Sequence, residues 1–154
     1  MRVALGSDHR GLELKREVAN ILRQAGHKVD DLGTHGEGPV DYPDVAAAVG
    51  KAVTAGTCQR GILICGTGIG MSMAANKVAG IRAALCRNTF QASRARQHND
   101  ANVLCLSAEE PPADLAGVLT TFLETTFLGG RHQRRVDKMD HLERRARETG
   151  PHGC

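Results

Sequence analysis

The fold of this chain is decided by the stretch Gly61-Ile62-Leu63-Ile64-Cys65-Gly66-Thr67-Gly68-Ile69-Gly70-Met71. The four apolar residues that follow Gly61 predict a strand buried within a parallel sheet. The three glycines at alternate positions let the backbone turn tightly and approach a ligand closely. The residues up to Asn76 then favour a helix. The stretch therefore predicts a strand, a loop whose amides hold an anion, and a helix N-terminus, with a thiol at the end of the strand.

This glycine loop lacks the two common nucleotide-binding patterns. A P-loop requires a Lys-Ser/Thr pair that is absent here, and the dinucleotide fingerprint requires G-x-G-x-x-G, whereas this loop reads G-x-G-x-G. The simplest alternative to a functional site is a strand–helix turn in which Cys65 is an ordinary core residue, because free cysteines are often buried.

Length and composition are typical of one soluble globular domain over residues 1–154. With one Tyr and three Phe the core must be aliphatic, and a net charge of +3 is too small to imply a nucleic-acid or membrane partner. No apolar run approaches the roughly 20 residues of a membrane span, and the N-terminus becomes polar too early for a signal peptide. Five cysteines without a C-x-x-C motif predict reduced thiols in the cytoplasm.

Strands alternate with helices along the chain. The expected strands are residues 2–6, 29–32, 62–65, 81–86 and 102–106. The expected helices are residues 11–25, 45–55, one after the glycine loop, 89–97, 111–127 and a C-terminal helix at 131–149, before a frayed tail at 150–154. Short connections between them predict an α/β fold: a five-stranded parallel sheet in the order 2-1-3-4-5, in a three-layer, doubly wound, Rossmann-like arrangement.

In this order the chain reverses direction between strands 1 and 3, and ligands bind outside the carboxyl ends of the strands at such a point. The first strand runs into Asp8-His9 and the third ends at Cys65. The two most reactive parts of the sequence are therefore expected at one place, which favours a functional Cys65 over a core cysteine. Asp8 has an alternative role as the N-cap of the following helix, and the two roles are compatible.

Several side chains have the chemistry of a catalytic site. Cys65 could act as a nucleophile or as a general base. The amides of residues 66–70 would be preorganised donors for an oxyanion that develops beside it. His98 follows a helix at the opposite end of the sheet, so that it could reach this site only from another subunit. The alternative for His98 is a solvated histidine in a turn.

Near the C-terminus, Arg131 and Arg135 lie four residues apart and would share one helix face as a phosphate clamp. The alternatives are a solvated basic face or a nucleic-acid patch, although few aromatic residues and a modest net charge argue against nucleic acid. Asp137 and His141 also share a face, but no third ligand is evident, so no metal is expected.

Six pieces of the sequence together resemble one family. They are Gly6-Ser7-Asp8-His9, Asp41-Tyr42-Pro43, Ile64-Cys65-Gly66-Thr67-Gly68-Ile69-Gly70, Ala74-Ala75-Asn76-Lys77, Gln97-His98-Asn99-Asp100-Ala101-Asn102-Val103 and Gly129-Gly130-Arg131-His132-Gln133. This combination is similar to the type B ribose-5-phosphate isomerases, and the related galactose-6-phosphate isomerase subunits share the pattern. The resemblance covers about residues 1–140.

The resemblance implies a cytoplasmic aldose–ketose isomerase of the pentose phosphate pathway that needs no metal or cofactor. It implies a homodimer or homotetramer with active sites at the dimer interface and a sugar phosphate as the small-molecule ligand. The residue matching Cys65 would move a proton between C1 and C2 through a cis-enediolate, and the residue matching His98 would open the sugar ring. Thr67 joins these two in the catalytic set. The substrate-binding positions would be Asp8, His9, Gly66, Thr67, Gly68, Ile69, Gly70, Asn99, Arg131 and Arg135.

One position departs from the family pattern. Glu109 stands where these isomerases often carry a phosphate-binding Arg. Since a carboxylate repels a phosphate, either Glu109 points away, toward an arginine such as Arg131, Arg134 or Arg135, or the preferred sugar is a tetrose or a hexose phosphate. A non-catalytic phosphosugar-binding module is the alternative from another functional class.

Overall fold

The computed structural model describes residues 1–36 and 38–148. The strands are β1 (Arg2–Ser7), β2 (Lys28–Asp31), β3 (Arg60–Cys65), β4 (Ala83–Leu85) and β5 (Val103–Ser107). The helices are α1 (Leu12–Gln24), α2 (Tyr42–Thr54), α3 (Ile69–Ala75), α4 (Thr89–Asn99), α5 (Leu115–Glu124) and α6 (Arg131–Glu148). The predicted frayed tail and position 149 of the predicted last helix lie outside the described residues.

The predicted fold class is confirmed: all strand pairs are parallel, and helices cover both faces of the sheet. One face carries the hydrophobic side chains of α1, α4 and α5, and the other face carries those of α2 and α3. These five helices pack their apolar sides against the sheet, as expected for βαβ units. Within the described residues, no helix is long and apolar enough to cross a membrane.

The predicted order of the last two strands is wrong, because the sheet runs β2-β1-β3-β5-β4. Every residue of β5 is buried, whereas β4 has three half-buried residues. The fully buried β5 therefore takes the interior position and the short β4 forms the edge. The helix faces agree with this order, since the step from β4 back to β5 reverses direction and its crossover helix α4 lies on the face opposite to α3.

The start of α5 also differs from the prediction. We expected the helix to begin at Pro111-Pro112, but it begins at Leu115. The side chain of Asp114 caps it, with Oδ1 accepting from the Gly117 amide at 2.9 Å. An N-cap carboxylate supplies an acceptor for a free amide of the first turn, and this fixes the start of the helix more firmly than the prolines do.

The strand register brings the predicted site together. Ser7 pairs with Ile64 in the β1–β3 ladder, and Cys65 pairs with Ser107 in the β3–β5 ladder. The carboxyl ends of β1, β3 and β5 therefore lie side by side. At the C-terminus, α6 packs against α4 and buries His132 and Val136.

Candidate active site

A cavity of about 430 Å³ opens where β1 and β3 end. The residues that line it are Asp8, Arg10, Tyr42, Cys65, Gly66, Thr67, Ile69 and Gly70. The expectation that Asp8 and Cys65 meet at this edge of the sheet is confirmed. The reversal between β1 and β3 remains in the observed strand order, so the corrected positions of β4 and β5 do not move the site.

Cys65 is the last residue of β3, and its side chain forms part of the cavity wall. The amide of Gly68 donates to its sulfur at 3.2 Å, which fixes the position of the thiol. Cys86 and Cys105 are buried cysteines outside this lining. Burial raises the pKa of the Cys86 thiol to about 11, and it also raises the pKa of Cys105. Cys65 is buried as well, with 5% exposure, but of these three cysteines it is the one that lines the cavity.

The loop after Cys65 depends on Gly68. This residue has φ 74°, and a Cβ atom there would lie 2.5 Å from Cδ1 of Leu85 and 3.0 Å from the carbonyl carbon and oxygen of Leu106. Only glycine combines this backbone conformation with such a close approach to β5. The hydroxyl oxygen of Thr67 accepts from the Ile69 amide at 3.3 Å and so stabilises the turn into α3.

The loop also carries amides suited to an anion. Within residues 1–36 and 38–148, the amides of Thr67 and Gly70 donate no hydrogen bond to a protein acceptor, and both residues line the cavity. Since α3 has only seven residues, its dipole adds little beyond these local donors. The loop therefore has amides free to bind an anion, and the binding roles of its individual residues stay predictions.

Asp8 fulfils its alternative role and also faces the cavity. Its Oδ1 accepts from the amides of Arg10 and Gly11, both at 3.0 Å, so Asp8 is the N-cap of the following 3₁₀ turn. His9 is exposed and lies outside the described lining of the cavity. Its Nδ1 accepts from the Val40 amide at 3.3 Å, which ties His9 to the loop before α2.

Sequence reasoning assigned no role to Arg10 or Tyr42, which both line the cavity. Arg10 Nη2 forms an ion pair with Glu109 Oε1 at 2.5 Å. The tyrosine ring lies against the glycine loop, because a Cβ atom on Gly70 would be 2.8 Å from Cζ of Tyr42. Their positions held a signal: Arg10 follows Asp8-His9 directly, and Tyr42 is the only tyrosine in the chain.

Glu109 has a partner other than the three arginines named as examples. Glu109 does point to an arginine, but that arginine is Arg10 rather than Arg131, Arg134 or Arg135. The physical reason is that Glu109 continues β5 beside the glycine loop, where its amide donates to the Gly66 carbonyl at 2.9 Å. This position is directly across the cavity edge from the 3₁₀ turn that carries Arg10.

The remaining predicted site residues form a second group on α4 and α6. The rings of His98 and His132 stack with their centroids 4.2 Å apart and their planes at 7°. Arg94 Nη1 lies 3.4 Å from His98 Nε2. His132 is buried, and its Nδ1 has no partner among the described residues. Burial, followed by the nearby His98 and arginines, lowers the pKa of His132.

Asn99 ends α4, and its carbonyl accepts from Nε of Arg82 at 3.1 Å. Arg131 and Arg135 are exposed on the first turns of α6. This group stands at the amino edge of the sheet, because α4 runs directly into the start of β5. Strand β5 then rises about 13 Å to the level of Cys65, at about 3.3 Å per residue. The fold of one chain does not bring the second group to the cavity.

Asp137 and His141, which share a face of α6, do not form a metal site in the described part of the chain. Asp137 Oδ1 accepts from Gln133 Nε2 at 2.8 Å. No group of three or more His, Cys, Asp or Glu side chains in residues 1–36 and 38–148 could hold a metal ion.

Comparison with known proteins gives a consistent result. A family model described as Ribose/Galactose Isomerase matches residues 3–139. The chain is 43% identical to ribose-5-phosphate isomerase B of Escherichia coli, over 94% of this chain and 97% of that protein. It is 42% identical to D-erythrulose-4-phosphate isomerase of Pectobacterium atrosepticum, over 93% and 95%. The solved structure of Clostridium thermocellum ribose-5-phosphate isomerase B superposes with a TM-score of 0.91 at 51% identity, over 94% of this chain and 99% of that one.

The close packing of Gly68 against β5 can be tested by comparison with Gly80, which has the same φ of 74°. A Cβ atom added at Gly80 would have only Thr54 Cγ2 nearby, at 3.4 Å. We expect both Gly→Ala variants to lose about 1–2 kcal/mol of unfolding free energy from the left-handed backbone. Gly68→Ala should lose about 1–3 kcal/mol more, because its methyl group meets the backbone of β5. Urea unfolding at one protein concentration measures both losses. Equal losses would show that the loop shifts away from β5 without cost.

Proposed function

Because this chain belongs to the ribose/galactose isomerase family, we propose that it is an aldose–ketose isomerase that interconverts ribose 5-phosphate and ribulose 5-phosphate. The observation that carries the proposal is the thiol of Cys65 in the wall of a cavity at the carboxyl ends of β1 and β3. Thr67 and Gly70 line the same cavity, and their amides donate to no protein acceptor among the described residues. A thiol beside preorganised anion donors is the chemistry that an enediolate intermediate requires.

In the proposed reaction, the thiolate of Cys65 removes the proton from C2 of the open-chain aldose. The C–H electron pair forms the C1–C2 double bond, and the carbonyl electrons move to O1, which becomes the enediolate oxygen. The sulfur returns its proton to C1 while the hydroxyl proton on O2 moves to O1, leaving a carbonyl at C2. The amides of Thr67 and Gly70 stabilise the negative oxygen, and the Thr67 hydroxyl hydrogen bonds the substrate oxygens.

We propose that a second copy of the chain supplies His98, Asn99, Arg131 and Arg135 to each cavity. The amino-edge position of this group within its own chain supports the proposal. Exposed apolar side chains beside the cavity support it as well, since Ile69 and Met73 are 55% and 66% exposed. An apolar groove of about 450 Å³ between α2 and α3 continues this surface. A twofold dimer would cover the patch and form two equivalent sites.

The same arrangement gives His98 its proposed role. In a shared site it would act on the cyclic sugar and open the furanose ring before Cys65 acts. Arg131 and Arg135, one helical turn apart, would bind the phosphate as a pair of guanidinium groups. Four free cysteines among the described residues support a reducing, cytoplasmic setting.

Cys65 as the base predicts a specific kinetic defect. Cys65→Ala should lower kcat by roughly 10²–10⁴-fold with little change in KM, because a general base acts in the transition state and not in binding. Cys86→Ala is the matched control, since it removes a buried thiol that lies outside the cavity lining. Solvent exchange of the C2 hydrogen, followed by NMR, measures the step directly. Exchange at the wild-type rate in Cys65→Ala would exclude Cys65 as the base.

Shared sites predict that two inactive variants restore each other. Cys65→Ala and His98→Asn subunits, mixed in equal amounts after dissociation, should recover roughly a quarter of the wild-type activity with ribose 5-phosphate. Statistical mixing makes half of the dimers mixed, and a twofold mixed dimer has one intact site. Mixing Cys65→Ala with Cys65→Ser is the control that should recover nothing. Mixed dimers detected by mass spectrometry without any recovery would contradict a site built from two chains.

The identity of the sugar has one specific rival, because the Pectobacterium atrosepticum relative is named for a tetrose phosphate. We expect kcat/KM to be highest for ribose 5-phosphate in a comparison of four-, five- and six-carbon aldose phosphates. A clear preference for erythrose 4-phosphate or a hexose phosphate would replace the pentose in the proposal. Binding without turnover of any of them would instead support a non-catalytic phosphosugar-binding module.

A further inference from the structure

The cavity has one charged wall whose purpose the isomerase chemistry does not explain. Arg10 lines the cavity, and Glu109 holds its guanidinium at 2.5 Å. The two side chains meet above Gly66. A Cβ atom on Gly66 would lie 2.9 Å from Glu109 Oε1 and 3.3 Å from Arg10 Nε. Gly66 therefore leaves open the space in which this ion pair lies at the cavity wall.

Both ends of the pair stand on a fixed backbone. The amides of Ala108 and Glu109 donate to the carbonyls of Cys65 and Gly66, each at 2.9 Å, so this segment extends the β3–β5 ladder. The amide of Arg10 is held by the Asp8 carboxylate at 3.0 Å. Rearrangement is thus confined to the two side chains, and it leaves the thiol and the glycine loop where they are.

Arg10 can readily exchange its partner Glu109 for an anion. The side chain of Arg10 is 61% exposed and that of Glu109 is 44% exposed. Ion pairs in contact with water contribute little net stability, so that breaking this one costs little. A guanidinium binds a phosphate dianion through two parallel hydrogen bonds, and a dianion attracts it more strongly than a single carboxylate does.

We propose that Arg10 is an anion-binding residue of this site and that Glu109 is its internal counter-ion, which an incoming phosphate group displaces. The proposal rests on the proposed function for the identity of the anion, the phosphate of a sugar phosphate. In the free protein the Arg10–Glu109 pair carries no net charge, and Glu109 competes with an anion that approaches Arg10. Glu109 thereby sets how strongly the site holds phosphate, which makes it a specificity-determining residue.

The chain offers a matched control in the neighbouring glutamate. Glu110 Oε2 pairs with Arg87 Nη2 at 2.7 Å, with side-chain exposures of 66% and 60%. Neither residue lines the cavity. This second pair has the same chemistry and a similar exposure, so it reports the effect of a charge change on the same surface without a role in the site.

The test is titration of the full chain with inorganic phosphate, followed by isothermal calorimetry at low ionic strength. We expect Glu109→Gln to tighten phosphate binding about fivefold, the size of one charge pair at about 4 Å in water. Arg10→Gln should weaken binding by a similar factor, and Glu110→Gln and Arg87→Gln should change it by less than about twofold. Raising the salt concentration should shrink the two large effects.

The double variant Arg10→Gln/Glu109→Gln isolates the interaction between the two residues. If Glu109 acts only through Arg10, its substitution should bring no gain once Arg10 is absent. An equal gain in that background would overturn the proposal. So would a Glu109→Gln protein that binds phosphate no more tightly than Glu110→Gln does, including the case in which neither binds.

Isomerase activity on ribose 5-phosphate, measured with the same proteins, separates this proposal from the proposed function. If the variants bind phosphate as expected but none of the proteins isomerises ribose 5-phosphate, the counter-ion proposal stands and the proposed isomerase function is wrong. If the wild type is active but neither substitution changes the affinity for phosphate, the isomerase function stands and the counter-ion proposal is wrong.

Discussion

The site depends on the close packing of the glycine loop against the end of β5. The carbonyl of Gly66 accepts two hydrogen bonds, from Ser107 Oγ at 2.8 Å and from the Glu109 amide at 2.9 Å. Two residues later, Gly68 turns with a positive φ directly over the Leu106 backbone. Its amide then points back to the sulfur of Cys65. One short loop, anchored at two points, therefore fixes the thiol and forms the wall of the cavity at the same time.

This anchoring explains why β5, and not β4, must be the neighbour of β3. Strand β4 ends at Leu85, whose partner in β5 is Cys105, while Cys65 pairs with Ser107 two residues further on. In the central position, so short a strand would stop below the loop and leave the Gly66 carbonyl without its two donors. A buried carbonyl without partners is costly. The strand order that the sequence predicted wrongly is thus a requirement of the site itself.

Sequence reasoning succeeded where the signal lies in neighbouring residues of the chain. It failed where the answer depends on which strands lie side by side in the sheet. The start of α6 at Arg131 follows from a glycine pair before a charged helical pattern. The meeting of Asp8 with Cys65 follows from parallel strands with short connections. By contrast, the fourth and fifth strands are both apolar runs, and apolar periodicity carries no information about which of them is interior. The Arg10–Glu109 ion pair could not be predicted for the same reason. It joins the ends of β1 and β5 across Gly66, and so it depends on the order of the strands.

The stacked pair of His98 and His132 lies at the far edge of the sheet from the cavity and belongs to the group that we propose as the second half of a shared site. Two imidazolium rings 4.2 Å apart would repel each other, and the lowered pKa of His132 keeps its ring neutral near neutral pH. Because the folded protein disfavours this proton, the unfolded chain binds it more readily as the pH falls through the ordinary histidine pKa of about 6.5, and the stack loses stability there. In the proposed shared site, the thiol at one edge of the sheet and the imidazole at the other would act together only when two chains combine, which would tie activity to assembly.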